Sequence, residues 1–106
     1  MVAKRQNPRY LIKLPAEIST GDYLIRGTTV RVSMKGFFFR SQASFRVGTP
    51  VDINLHLTGE LSCVLKGIVR YARNIIEFKR QNGMGIEFTE IDSKYLEFIR
   101  SVEQEK

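Results

Sequence analysis

The chain has 106 residues, 42% hydrophobic and 26% charged, a length that fits about one domain with a modest core. Its single cysteine, Cys63, excludes an intramolecular disulfide, and no apolar run approaches the roughly 18 residues that a membrane helix needs. A net charge of +6 favours anionic partners such as nucleotides, nucleic acids or phospholipid headgroups. The expectation is a cytoplasmic domain with no membrane insertion, free-standing or part of a longer chain.

In chain order, Lys4, Arg5, Arg9 and Lys13 come first with no acid among them, whereas Glu87, Glu90, Asp92, Glu97, Glu103 and Glu105 gather toward the end. Arg5 and Arg9 are four apart, a helical spacing. Pro8 between them removes a backbone donor and biases Asn7 away from helical angles. Residues 1–9 therefore read as a flexible basic arm, ahead of a folded unit at 10–106.

Tyr10, Ile12, Leu14, Ala16 and Ile18 alternate with polar positions, the pattern of a half-buried strand. Ser19 to Asp22 form a turn cluster, and a second strand follows with Leu24, Arg26, Thr28, Val30 and Val32 expected on one face. "FFFRS" is a short third strand. Val47-Gly48-Thr49-Pro50 turns the chain into a fourth, where Val51, Ile53, Leu55 and Leu57 alternate with Asp52, Asn54 and His56. "LSCVLKGIVRYA" is a fifth, with Gly67 marking a bulge or bend. A turn at Asn82-Gly83 is expected before the last strand through Ile86 and Phe88. The period then changes: after the capping candidates Asp92 and Ser93, residues Tyr95, Phe98, Ile99 and Val102 follow helical spacing, predicting a short helix over about 92–104. Short strands separated by turns, with one terminal helix, point to an all-β antiparallel barrel.

The sequence gives catalysis no foothold. His56 is the only histidine and Cys63 the only thiol, so no ordinary zinc site can be assembled and a hydrolytic triad lacks its parts. Cys63, between Ser62 and Val64, reads as a small core filler. "GMG" at Gly83 to Gly85 precedes a strand rather than a helix, unlike a dinucleotide fingerprint. The expectation is a non-enzyme without metal or cofactor.

Three features remain: Arg5-Gln-Asn-Pro-Arg9, "VRVSMKG" at Val30 to Gly36, and "GMGIEF" before the terminal helix. Together they resemble the PilZ domain family over nearly the whole chain. The resemblance implies a six-stranded antiparallel barrel with a C-terminal helix, and a receptor for the bacterial second messenger cyclic di-GMP. The family signature joins R-x-x-x-R to a later [D/N]-x-S-x-x-G. Arg5 and Arg9 match the first element, and Ser33 and Gly36 match the end of the second. At the Asp/Asn position this chain has Arg31.

The residue types suit such a ligand. Arginine offers a planar fork for phosphate and stacks on purines, and it matches the O6 and N7 acceptors of guanine. Ser33 can bond the ligand or hold a turn. Gly36 can permit close backbone approach or adopt a positive φ. Arg31 has donors and no acceptor, so it cannot receive the guanine N1 and N2 protons as Asp or Asn would. It can instead reach phosphate or the O6/N7 edge, or it marks a family member that has lost the ligand. By resemblance, Lys4 stands where a residue influences whether one ligand or a stacked pair is held.

Two functions follow: a ligand-switched receptor in bacterial signalling, governing motility or biofilm formation through a downstream protein partner, or an adaptor without nucleotide affinity. A third reading, a basic barrel for single-stranded nucleic acid, draws on Tyr71 and Phe37 to Phe39. It is disfavoured because three consecutive phenylalanines on a strand cannot all face a ligand.

Overall fold

The computed structural model describes residues 8–73 and 82–104. Among the described residues, seven strands and one helix follow one another: β1 (Tyr10–Leu11), β2 (Pro15–Ser19), β3 (Leu24–Val32), β4 (Gly36–Arg40), β5 (Pro50–Thr58), β6 (Leu61–Arg73), β7 (Gly83–Glu90) and α1 (Ser93–Gln104). All strand pairings are antiparallel, in the order β3-β2-β5-β6-β7-β4, and β4 returns to pair with β3. Six strands thus close a barrel, which leaves no long edge for another chain to join. The two-residue β1 pairs with Arg31 and Val32 at the far end of β3, continuing the line that β2 takes along the rest of it.

Alternation places Ala16, Ile18, Phe37, Phe39, Val51, Ile53, Leu55, Leu57, Cys63, Leu65, Val69, Met84 and Ile86 inside. Helix α1 joins this core through the buried Tyr95 and Ile99, with Phe98 and Val102 half-buried beside them. An aromatic seam carries it to the sheet: Phe88 meets Tyr95 edge-on at 5.0 Å and Phe37 at 5.4 Å. Asp92 caps the helix, its Oδ1 accepting from the Lys94 N–H at 3.0 Å. That bond holds the Asp92 carboxyl below its ordinary pKa. Among the described residues no helix is long and apolar enough to cross a membrane.

Three expectations are corrected. The even-numbered residues of β3 do not share one face: Leu24 and Arg26 are exposed while Val32 is in the core, and the buried polar residue is Thr29. The register shifts between Thr29 and Arg31, so Val30 is an extra residue that reverses the alternation before Val32 returns to the core. Thr29 then stitches the gap between β1 and β2, its hydroxyl donating to the Ile12 carbonyl at 2.8 Å and accepting from the Leu14 N–H at 2.9 Å. The lead strand is accordingly two pieces rather than one.

Asn82-Gly83 is likewise not a turn. Gly83 already pairs with Arg40 and Arg73, at φ 152°, and a Cβ there would lie 1.9 Å from the Phe39 carbonyl oxygen. At Gly67 the expected irregularity is present, but its extra residue, Thr89, lies in the partner strand β7.

Candidate functional site

The β3–β4 hairpin builds one wall of the candidate site from four residues, Ser33 to Gly36. The Ser33 N–H donates to the Gly36 carbonyl at 2.9 Å. The Ser33 hydroxyl donates to the same oxygen at 3.2 Å and accepts from the Lys35 N–H, also at 3.2 Å. Side chain and backbone thus close the turn together, the local role that serine plays outside helices. The turn is anchored from outside by Phe88, whose N–H donates to the Lys35 carbonyl at 2.7 Å, and by Tyr95, whose hydroxyl donates to the Ser33 carbonyl at 2.6 Å.

Gly36 owes its identity to close approach rather than to a positive φ. It lies opposite Glu87 in β7, and a Cβ on it would come within 2.0 Å of the Ile86 carbonyl oxygen. Only a residue without a side chain lets β4 and β7 pair there.

A second wall arises from another register shift. Between Val69 and Tyr71 the β6–β7 pairing gains Arg70 as an extra residue. Tyr71 shares the odd numbering of the buried Cys63, Leu65 and Val69, yet it turns outward and is 45% exposed. Its register partner is Gly85, which in turn faces Phe38 of β4. With no side chain at Gly85, the rings of Phe38 and Tyr71 stack across it, 5.7 Å apart and inclined by 24°. A Cβ on Gly85 would meet the Tyr71 ring at 2.3 Å. The three consecutive phenylalanines are thereby divided, Phe37 and Phe39 in the core and Phe38 outside.

Between these walls lies an open cleft of about 350 Å³. Arg9, Arg31, Ser33 and Gly36, the sequence candidates within the described residues, all line it. Arg5 and Lys4 lie outside the described residues. Among the described residues four cations border the cleft, Arg9, Arg31, Lys35 and Arg70, against one carboxylate, Glu87. The Arg70 Nε holds a Glu87 oxygen at 2.5 Å. The cleft therefore combines a net positive wall with an apolar aromatic shelf, which suits an anion bearing a flat ring.

Sequence reasoning missed Arg70, Lys35 and Glu87 as site residues and considered Tyr71 and Phe38 only for nucleic acid. A register shift is invisible to simple alternation, which would bury Tyr71. The nearest signal is the Gly83-Met84-Gly85 run, since a strand glycine often marks a close approach. His56 takes no part. Its Nε2 lies 2.9 Å from a Glu17 oxygen on the opposite wall, formed by β2 and β5. Among the described residues no three metal-ligating side chains come together.

The family described as PilZ domain matches residues 3–104 of this chain. Among solved structures, the chain is similar to the inhibitor of motility MotI/DgrA of Bacillus subtilis, with a TM-score of 0.76 and 20% sequence identity. The match covers 99% of this chain and 53% of that one, so this chain spans about half of its length. Among curated proteins none matches.

Proposed function

Because the chain belongs to the PilZ domain family, we propose that it is a non-catalytic receptor for cyclic di-GMP. The observation that carries this reading is convergence. Arg9 ahead of β1, and Arg31, Ser33 and Gly36 of the β3–β4 hairpin, meet at one cationic cleft beside the Phe38–Tyr71 stack. A cyclic dinucleotide brings two phosphate charges and two flat bases. Arg9 and Arg31 supply forks for phosphate, Lys35 adds a point charge, and Tyr71 offers a surface for a guanine.

In this reading the basic arm, residues 1–9 with Lys4, Arg5 and Arg9, closes over the ligand. That closure creates a new surface for a downstream protein partner. The signal originates and acts in the cytoplasm, and control of motility is one output, as the name of the Bacillus subtilis neighbour suggests for that protein.

Titration calorimetry of the full chain with cyclic di-GMP tests the proposal. Saturable binding is expected, weakened at least tenfold by Arg9→Ala while the melting temperature of the free protein stays the same. Absence of heat and of any melting shift at high micromolar ligand would reject it. A specific observation, Arg31 in place of the family's Asp or Asn, favours the second reading in that event: an adaptor that keeps the barrel for protein contacts alone.

A further inference from the structure

Glu87 is out of character in a cleft meant for a dianion. Its carboxylate repels phosphate, and among the described residues it is the only acid lining the cleft. Repulsion of this kind weakens capture of anions in general, so its presence calls for a ligand group that prefers it. Arg31 poses the complementary difficulty: where the family signature has an acceptor, it has only donors. We infer that Glu87 supplies the displaced acceptor from β7 and takes the N1–H and N2–H donors of a guanine, which makes it the residue that selects the base. The inference deepens the cyclic di-GMP reading of the same cleft and rests on it.

Placement supports the exchange. Glu87 pairs with Gly36, the last residue of the signature, and both line the cleft. Gly36 has no side chain to stand between the carboxylate and the turn that carries Ser33. The Glu87 side chain is 46% exposed, reachable by solvent yet held at one oxygen, Oε1, by Arg70. Among the described residues Oε2 makes no hydrogen bond. A carboxylate offers about four lone-pair positions, so Oε1 can keep its bond to Arg70 while the pair accepts two parallel donors.

The edge chemistry fixes the base. Guanine presents N1–H and N2–H side by side, which match two carboxylate oxygens. Adenine presents a lone pair at N1, which the carboxylate repels. A site built to receive donors rejects analogues lacking them far more strongly than an apolar pocket rejects a misfit. The division of labour is then spatial: Arg9, Arg31 and Lys35 face phosphate or the guanine O6/N7 edge, Tyr71 stacks, and Glu87 reads the donors.

The test is calorimetry on the full chain with three cyclic dinucleotides: cyclic di-GMP, its inosine counterpart lacking the N2 amine, and cyclic di-AMP. The unaltered protein should prefer cyclic di-GMP over the inosine ligand by about tenfold. Glu87→Ala should weaken cyclic di-GMP by about tenfold to a hundredfold and erase that preference. Adding Arg31→Asp to Glu87→Ala should restore both, since the acceptor returns to its signature position. An exposed ion pair contributes little to stability, so the free Glu87→Ala protein should melt near the original temperature. If Glu87→Ala binds cyclic di-GMP as well as before or better, with its preference over the inosine ligand intact, Glu87 is not the reader. If the unaltered protein takes none of the three, the cyclic di-GMP reading itself fails, a result distinct from failure of Glu87 alone.

Discussion

The Tyr95 hydroxyl and the Ser33 carbonyl, 62 residues apart in sequence, share a hydrogen bond of 2.6 Å. It joins the first turn of α1, through the buried Tyr95, to the hairpin turn that walls the cleft. Burial holds the phenol protonated, pushing its pKa above the ordinary tyrosine value, with the nearby Cys63 adding to the rise. The terminal helix and the candidate site are thereby one mechanical unit, so a change at the turn reaches the helix directly.

Tyr95→Phe removes the donor and leaves the Ser33 carbonyl buried without it. The expected cost is about 1–3 kcal/mol, read as a lower urea midpoint with an unchanged slope. Cyclic di-GMP affinity should fall with it, because the turn loses its outer anchor.

Gly36 and Gly21 make a matched pair. Gly36→Ala drives a methyl into the Ile86 carbonyl, a backbone atom that cannot step aside, whereas nothing lies within 4 Å of a Cβ at Gly21. Gly36→Ala should cost about 1–3 kcal/mol or more, while Gly21→Ala should leave the urea midpoint almost unmoved.

Tyr71→Ala removes the outer ring of the Phe38 stack. Base–aromatic stacking contributes about 1–3 kcal/mol per base, so affinity for cyclic di-GMP should drop about 5- to 150-fold. Tyr71→Phe should bind nearly as the original does, since the stack needs the ring and not the hydroxyl.

Cys63 predicts an alkaline weakness. It is 2% exposed, and burial pushes its thiol up to about 11 from an ordinary 9.0, with the Asp92 charge contributing. Between these values the unfolded chain releases a proton that the folded one keeps. Stability is therefore intact below pH 9 and declines as pH rises toward 11. Urea midpoints from pH 8 to 10.5 should fall, and Cys63→Ala should flatten the fall, leaving a remainder from Tyr95. A thiol reagent at pH 8 should react slowly with the folded protein and quickly in urea.

Alternation made most of the barrel legible. The inner residues of β2, β5 and the first part of β6 follow period two without interruption, and the Tyr95-Ile99 stripe of α1 follows helical spacing. It failed at Val30 and Arg70, where one extra residue reverses which side faces the core. Arg70 lines the cleft and Val30 directly precedes Arg31, which also lines it; bulges commonly re-aim side chains at such places. Ser33 and Gly36 were legible as a pair because a signature links them, yet their local roles, turn closure and close approach, depend on β7 and α1. Lys35, Arg70 and Glu87 carry no pattern in sequence; only the register brings them together.

The most direct measurement is a crystal structure of the full chain grown with cyclic di-GMP. The account predicts the messenger in the cleft, its phosphates against Arg9 and Arg31 and a guanine on Tyr71 with its donor edge toward Glu87. An empty cleft at saturating ligand, or the messenger bound on the opposite wall near Glu17 and His56, would contradict it.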